Sequence, residues 1–257
     1  MSELSEHVEE NRRYWDEVAD QWVASGEEAW ASPTPNWGQW GVPDEQCPML
    51  PKDMTGMRAI ELGCGTGYVS AWMTRRGAKV TAIDNSERQL ETARRLASEH
   101  QLAIEFLHGN AEDVPFADGT FDFAVSEYGA AIWCDPEAWI PEAHRLLRPG
   151  GKLTFLGNSP LSIACMPGDG APAQRTLHRD YFSLGTIDWT KVQIDPGGIE
   201  FNRPLSAWFE LFRRIGFRVD DYREPVAPAA ASSTDFSVPA QWAQNYPSEQ
   251  VWFLTRI

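Results

Sequence analysis

The sequence predicts an α/β fold in which a mostly parallel β-sheet carries helices on both faces. Two observations lead to this fold class. Short apolar segments alternate with amphipathic helical segments between residues 58 and 157, and the first apolar segment ends in a turn with three closely spaced glycines. Alternating strands and helices are typical of parallel sheets, because each parallel connection needs a crossover, usually a helix. The length of 257 residues suits one such domain with attached elements.

The N-terminal part of the chain lies outside this alternation. Apolar side chains recur at three- and four-residue intervals from Tyr14 to Trp22, so we expect an amphipathic helix from Ser5 to about Ser25. The segment from Trp30 to Pro48 is rich in tryptophan and proline and is predicted to be ordered but irregular. We therefore divide the chain into a helical, Trp-rich cap over residues 1–50 and a core domain over residues 51–257.

The core elements are predicted in the following order. Strands are expected at 58–62, 79–84, 103–108, 121–126, 152–157, 217–220 and 251–255, and helices at 67–76, 86–99, 137–147 and 205–215. The periodicity lapses at 158–203, which we interpret as a lid-like insertion containing a hairpin from Ile187 to Phe201 that turns at Pro196-Gly197-Gly198. The Ala- and Pro-rich segment 225–240 is predicted to be a loop.

Local signals support the helix boundaries. Ser86 is a good N-cap for the helix that carries apolar side chains inward from Leu90 to Leu96. Gly77 and Gly216 each follow a helical segment and are expected to stop it.

The glycine-rich turn predicts a nucleoside-binding site. It follows the first strand and reads Glu61-Leu62-Gly63-Cys64-Gly65-Thr66-Gly67. Glycine lacks Cβ, so such a turn lets a ligand approach backbone N–H groups closely. The second strand ends at Asp84, 84 − 63 = 21 residues after the first glycine, where a carboxylate can bind ribose hydroxyls. The spacing is G-x-G-x-G rather than the G-x-G-x-x-G of dinucleotide-binding turns.

This turn closely resembles the first motif of class I S-adenosylmethionine-dependent methyltransferases. Further segments resemble the later motifs of the same family in the same order, namely Val80 to Ser86, Gly109 to Phe116, Phe121 to Glu127 and Arg145 to Leu153. The resemblance covers about residues 57 to 157. It implies a Rossmann-like, seven-stranded, mostly parallel sheet with an antiparallel last strand, to which the N-terminal helical cap and the insertion after strand five are added.

The resemblance also implies the cofactor and the residues that bind it. S-adenosylmethionine is the expected cofactor, and its expected contacts are Tyr14, Glu61, Gly63, Cys64, Gly65, Thr66, Gly67, Asp84, Asn85, Asn110, Ala111, Glu112 and Ser126. The family lines its acceptor pocket just beyond strand four, which makes Glu127 and Tyr128 the catalytic candidates. Trp37, Trp40 and Trp133 are the candidates for the substrate wall.

The expected reaction is the transfer of a methyl group by in-line displacement at the sulfonium carbon. The protein must hold a nucleophile close to that carbon in a dry pocket. An amine or thiolate can attack once it is unprotonated, whereas a hydroxyl needs a carboxylate or histidine as a base. The sequence leaves open whether the attacking atom is nitrogen, oxygen, sulfur or carbon.

Charge and composition restrict the partners. A formal net charge of −15 argues against nucleic acid and anionic membranes and favours a neutral or cationic small molecule as the acceptor. The four cysteines form no C-x-x-C pair and have no zinc-like spacing with histidine, so we expect no metal and a reducing compartment. The polar, acidic start of the chain does not resemble a signal peptide, and a cytoplasmic location is expected. The oligomeric state is not predicted.

Two other functions remain open from the sequence. A cofactor-binding regulatory or interaction module would keep the same motifs and bind without turnover. A nucleic-acid methyltransferase would usually carry a Pro-Pro-aromatic or Pro-Cys motif after strand four, and residues 126–129 and 134–136 match neither.

Overall fold

The computed structural model describes residues 4–191 and 197–257. Among these residues, the helices are Glu6–Glu17 (α1), Val23–Ala31 (α2), Tyr68–Arg75 (α3), Glu87–Glu99 (α4), Gly129–Trp133 (α5), Pro136–Leu146 (α6), Pro160–Cys165 (α7), Leu205–Ile215 (α8) and Ala240–Ala243 (α9). The strands are Asn36–Trp37 (β1), Val42–Pro43 (β2), Arg58–Leu62 (β3), Lys79–Asp84 (β4), Ile104–His108 (β5), Phe121–Glu127 (β6), Leu147–Asn158 (β7), Thr186–Asp188 (β8), Ile199–Phe201 (β9), Phe217–Arg223 (β10), Thr234–Asp235 (β11), Val238–Pro239 (β12) and Glu249–Arg256 (β13).

A seven-stranded sheet with the order β10-β13-β7-β6-β3-β4-β5 organises the molecule. Strands β5, β4, β3, β6 and β7 are parallel, and β13 runs antiparallel to both β7 and β10. Successive side chains of a strand face opposite sides, so Ala59 packs with residues of α3 while Ile60 packs with residues of α6 and α8. The predicted fold class is confirmed.

The sequence periodicity located most core boundaries to within two residues, and two differences have physical causes. Strand β7 begins at Leu147 rather than 152, because Leu147 pairs with Phe121 ahead of an irregularity in the ladder. The predicted N-terminal helix is interrupted at Val18, and a 3₁₀ turn over Ala19–Trp22 separates α1 from α2. A 3₁₀ turn has three residues per turn, so apolar side chains spaced three residues apart fit it as well as they fit an α-helix. The apolar spacing in the sequence therefore does not reveal the break at Val18.

The two segments outside the regular alternation are partly ordered as hairpins. In the insertion, β8 and β9 pair antiparallel with Asp188 opposite Ile199, as the sequence predicts, while the predicted turn residue Pro196 lies outside the described residues. The segment expected to be a loop at 225–240 instead contains the hairpin β11–β12 and the start of α9.

The Trp-rich cap is joined to the sheet through specific hydrogen bonds. The indole of the fully buried Trp30 donates to the carbonyl of Thr66 at 2.7 Å. The backbone N–H of Gly38 donates to Glu127 Oε1 at 2.7 Å, and that of Gln39 donates to Glu249 Oε1 at 2.9 Å. The cap therefore lies across the ends of β6 and β13, and it shares one hydrophobic core with α3.

The turns after β3 and β6 approach each other more closely than side chains would allow. A Cβ placed on Gly129 would lie 2.1 Å from the carbonyl oxygen of Gly63, and a Cβ on Gly63, whose φ is +75°, would lie 2.6 Å from the backbone nitrogen of Ala130. Glycine at both positions is therefore required for the two turns to meet at the carboxyl edge of the sheet.

Several features bear on location and chemistry. Cys47, Cys64, Cys134 and Cys165 are free thiols. Within residues 4–191 and 197–257, no helix combines the length and the apolar character that a membrane span requires. The same residues contain no cluster of three or more His, Cys, Asp or Glu side chains arranged to hold a metal ion.

The contact between the two turns generates a stability prediction. Gly129→Ala forces its methyl group against the Gly63 carbonyl, so we expect a loss of about 1–3 kcal/mol or more in the free energy of unfolding. Gly168→Ala is the matched control, because a Cβ there meets no atom within 4 Å and should change stability by less than about 0.5 kcal/mol. Thermal melting measures both variants, and equal melting temperatures would contradict the close packing of the turns.

Candidate functional site

A cavity of about 340 Å³ opens at the carboxyl edge of β3, β4 and β6. Its walls come from the glycine-rich turn, from the ends of these strands and from the cap. Ligands of open α/β sheets bind at the carboxyl ends of the strands, so the cavity lies where the fold favours a site.

Asp84 orders the glycine-rich turn. Its two carboxylate oxygens accept hydrogen bonds from the backbone N–H groups of Gly65, at 2.7 Å, and Ser86, at 2.8 Å. Burial raises the pKa of Asp84, while these two hydrogen bonds oppose that rise. Since each carboxylate oxygen can accept more than one hydrogen bond, Asp84 retains acceptor capacity toward a ligand in the cavity.

Glu61 is buried beneath the same turn. Its carboxylate accepts a hydrogen bond from Ser70 Oγ on α3. Burial raises the pKa of Glu61 well above its ordinary value, and the nearby charge of Glu127 adds to the effect. Glu61 therefore lines the cavity as a carboxyl group that has no cationic partner among its hydrogen bonds.

The loop after β5 contributes Asn110 and Ala111 to the cavity, but the next residue turns away. Glu112 accepts hydrogen bonds from His7 Nε2 and from the backbone N–H of Asp135, both at 2.7 Å. Burial favours the neutral form of Glu112, but the hydrogen bonds outweigh burial and hold its pKa below the ordinary value. Glu112 thus connects this loop to the N-terminal segment and to the start of α6.

The carboxyl group of Glu127 is buried at the wall of the cavity. Its Oε1 accepts the hydrogen bond from Gly38, whereas Oε2 is buried and has no hydrogen-bond partner among the described residues. Burial raises the pKa of Glu127 to about 6. A buried polar atom without a partner is costly, so it marks a position where a ligand group can bind.

Tyr128 and Glu249 form a second buried pair next to Glu127. The Tyr128 hydroxyl donates to Glu249 Oε1, which also accepts from the backbone of Gln39. Glu249 is completely buried, and burial raises its pKa to about 7. Tyr128 has an unusual backbone conformation for a non-glycine residue, with a φ of 57°, and this directs the chain from β6 into α5.

Aromatic rings from three parts of the chain form a continuous wall of the cavity. Trp15 contacts Trp133 with ring centroids 5.3 Å apart and Trp22 at 5.6 Å. Trp22 stacks in turn on Phe236 at 5.9 Å. The wall therefore joins α1, the 3₁₀ turn, α5 and the β11–β12 hairpin.

The structure brings most of the sequence-predicted site residues together. Those that line the cavity are Glu61, Gly63, Cys64, Gly65, Thr66, Asp84, Asn85, Asn110, Ala111, Glu127, Tyr128 and Trp133. Asn85 is also tied to α1, because its side chain donates to the Val8 carbonyl and accepts from Arg12.

Trp37 and Trp40, expected in the substrate wall, lie in the core instead. The Trp37 ring packs against Trp72 at 5.4 Å, and its indole N–H donates to Asp44. The Trp40 indole donates to Ser248 Oγ at 2.9 Å. Between these two rings, the backbone at Gly38 and Gln39 reaches the cavity.

Three of the expected cofactor contacts also lie outside the cavity lining, as Glu112 does. Ser126 Oγ is completely buried and donates to the Leu62 carbonyl, which links β6 to β3. Gly67 is the N-cap of α3 and packs against Phe106. The Tyr14 ring packs on Gly197, where an added Cβ would lie 2.8 Å from the ring.

Several residues of the site were missed by sequence reasoning. Gln89, whose buried Oε1 has no partner among the described residues, lies in the first turn of α4, and Tyr68 lies in the first turn of α3. Their positions directly after the two strand-end motifs could have suggested them. Glu249 and Phe236 are far away in the sequence and carry no local signal. Within the described part of the insertion, Asn158 is the residue that lines the cavity.

The burial of Glu249 generates a pH prediction for stability. Its pKa rises from 4.5 to about 7 on folding, so the folded protein holds a proton that the unfolded chain releases. The stabilisation from this group is present at low pH and is lost as the pH rises through about 7. We expect the melting temperature to fall from pH 5 to pH 8, and to fall less in Glu249→Gln.

The exposed Glu91 provides a matched control for that experiment. Glu91→Gln removes the same charge from the surface and should keep the wild-type dependence on pH. An unchanged pH dependence in Glu249→Gln would show that this carboxyl group does not titrate in the window.

Comparison with known proteins identifies the family. Residues 60–155 match the family model described as a methyltransferase domain. A demethylmenaquinone methyltransferase of Lactococcus lactis is 36% identical over 195 residues, which are 70% of this chain and 73% of that protein. A ubiquinone biosynthesis O-methyltransferase of Ruegeria pomeroyi is 32% identical over 168 residues, 65% of each chain.

Solved structures agree with this assignment. An S-adenosylmethionine-dependent methyltransferase from Mesorhizobium loti is 25% identical with a TM-score of 0.66, and the match covers 81% of this chain and 94% of that one. The match spans only 36%, 41% and 65% of the length of three curated relatives, from rice, Clavibacter sepedonicus and Ruegeria pomeroyi. The fold, the glycine-rich turn and these matches together establish that the chain belongs to the class I S-adenosylmethionine-dependent methyltransferases.

Proposed function

We propose that this protein transfers a methyl group from S-adenosylmethionine to a small-molecule acceptor that is neutral or cationic. One observation carries the proposal: a single cavity is lined both by the turn that Asp84 orders and by Glu127, which has an unpartnered carboxylate oxygen. The turn that Asp84 orders suits binding of the cofactor, and the Glu127 carboxylate suits contact with the reacting group of the acceptor. The named quinone and acyl-carrier methyltransferases among the relatives support small acceptors.

The residues present fit the cofactor. A Cβ on Gly65 would meet only Gln89 Oε1, at 4.0 Å, so the turn is open to a ligand at this point. Gln89 is 4% exposed, and its unpartnered oxygen can accept a hydrogen bond from a nucleoside. We assign the backbone of Gly63 to Thr66 and the Glu61 carboxyl group to the methionine part, Asp84 to the ribose and the loop at Asn110 and Ala111 to the adenine.

S-adenosylmethionine, when bound, supplies a methyl group already activated by the positive charge on its sulfur. The task of the chain is therefore to position the acceptor, to exclude water and to accept a proton. The aromatic wall from Trp15 to Phe236 excludes water and restricts the acceptor's orientation. We assign the role of accepting the acceptor's proton to the carboxylate of Glu127, which lines the cavity.

The proposal also covers the class of acceptor, the cellular compartment and the division of the chain into two parts. The net charge of −15 supports an acceptor other than nucleic acid or an anionic membrane surface. Four free cysteines support a reducing compartment, which we take to be the cytoplasm. We also retain the division into a cap over residues 1–50 and a core over 51–257, with the 158–203 insertion as a lid-like element of the core.

Cofactor binding is tested at Asp84. Asp84→Asn leaves an amide donor facing one of the two backbone N–H groups, so the glycine-rich turn loses a charge-assisted hydrogen bond. We expect the affinity for S-adenosylhomocysteine, measured by calorimetry, to fall about ten- to a hundredfold. Glu91→Gln should bind as tightly as the wild type, and equal affinity in Asp84→Asn would refute this cofactor site.

Catalysis is tested at Glu127. Glu127→Gln should keep the affinity for S-adenosylhomocysteine within about twofold and lower turnover about a hundredfold, the usual contribution of a general base. Since the pKa of Glu127 is about 6, its proton-accepting form is lost below that pH. The wild-type kcat/KM should therefore fall below pH 6, and the variant should lack this decline. A wild-type pH profile that is retained in Glu127→Gln would remove Glu127 from catalysis.

A further inference from the structure

The cavity contains acidic side chains and no basic ones. Among the described residues that line it there is no lysine, arginine or histidine, whereas three carboxyl groups are present: Glu61, Asp84 and Glu127. Asp84 is engaged by two backbone N–H groups and Glu61 by the Ser70 hydroxyl. Glu127 lines the cavity and is 9% exposed, and its carboxylate accepts a hydrogen bond from the backbone N–H of Gly38. Because Glu61 and Asp84 are assigned to the cofactor, Glu127 is the carboxyl group of the lining that remains for the acceptor.

Two further carboxyl groups lie near Glu127 and add to the acidic character of this part of the cavity. Glu61 and Glu249 are near enough for their charges to interact with that of Glu127. Two phenols, Tyr68 and Tyr128, lie beside the same group. Burial raises the pKa of each, with a further rise from the charge of Glu127 at Tyr68 and from the charges of Glu249 and Glu127 at Tyr128, while the Tyr68 hydroxyl lowers the pKa of Glu127. An anion placed among these groups would be repelled at short range in a medium that screens poorly.

The aromatic wall adds a second attraction for positive charge. The faces of indole rings carry partial negative charge and attract cations within about 6 Å. Trp15, Trp22 and Trp133 supply three such rings to one cavity. The rings and the carboxyl groups together make a surface that stabilises a cation.

We propose that the methyl acceptor is an amine, whose nitrogen becomes positively charged on methylation beside Glu127. The inference rests on the proposed methyl transfer and specifies the class of acceptor. The nitrogen lone pair forms the new N–C bond, the C–S bond breaks with its electron pair going to sulfur, and the positive charge moves from sulfur to nitrogen. A phenol or thiol would instead have to lose its proton before or during attack, and a carboxylic acid would react as an anion among the carboxyl groups.

Glu127 has a defined part in this step. The methylated ammonium carries an N–H bond, and the Glu127 carboxylate accepts that hydrogen bond and then the proton. The product leaves as a neutral amine or, after reprotonation in water, as a cation. The proton balance is closed, because the proton that Glu127 receives is released to solvent.

The experiment compares two probes of the same shape. Benzyltrimethylammonium carries a positive charge, and neopentylbenzene is its uncharged carbon isostere. Binding of each to the complex of the full chain with S-adenosylhomocysteine is measured by competition against a fluorescent aromatic amine or by calorimetry. We expect the cation to bind at least about tenfold more tightly than the isostere. Glu127→Gln should reduce this ratio to below about threefold, and Glu91→Gln should leave it unchanged.

The outcomes separate this inference from the proposed function. S-adenosylhomocysteine binding is measured first, and its absence would refute the methyltransferase proposal itself. If S-adenosylhomocysteine binds but the cation shows no preference over the isostere, the amine inference is overturned while the proposed function stands. If Glu127→Gln fails to fold, the wild-type ratio alone decides. Faster turnover of 2-phenylethanol or 4-ethylphenol than of 2-phenylethylamine would also overturn the inference.

Discussion

The structure depends on two buried carboxyl groups at the ends of two sheet strands, β6 and β13, that lie on either side of β7. Glu127 ends β6 and Glu249 begins β13, and each accepts a backbone hydrogen bond from the cap, at Gly38 and Gln39. Neither forms an ion pair among the described residues, although burying an unpaired charge is costly. The backbone donors and the Tyr128 hydroxyl reduce that cost, so the same contacts that attach the cap also shape the acceptor side of the cavity.

The opposite side of the cavity is shaped mainly by close backbone contacts, with one side chain, Asp84, holding the turn. Gly63 and Gly129 bring the turns after β3 and β6 into contact, and Asp84 fixes the next turn residue, Gly65. Three adjacent parallel strands thereby present their ends at one place. The part of the cavity that we assign to the cofactor is consequently set by local sequence, since each of its parts lies within a few residues of a strand end.

This difference explains what the sequence could predict. The central sheet, the glycine-rich turn and Glu127 were predictable, because strand periodicity and short motifs determine them locally. Trp37 and Trp40 were expected in the substrate wall, but both donate to polar partners in the core, at Asp44 and Ser248. The sequence shows that tryptophans are concentrated in this segment, but it does not show in which direction each indole ring points. Glu249 could not be found from the sequence, because its contacts with Tyr128 and Gln39 arise only when the last strand inserts beside β7.

The buried acidic groups also link stability to ligand binding. Burial raises the pKa of both Glu127 and Glu249, the charge of Glu127 raises that of Glu249 further, and these effects oppose folding at neutral pH. A positively charged ligand that enters the cavity relieves the repulsion, and binding to the folded state alone then stabilises that state. Strain of this kind is common at functional sites, where a group is kept in an unfavourable environment until its partner arrives. The buried carboxyl groups therefore lie at the place where the proposed reaction develops its positive charge.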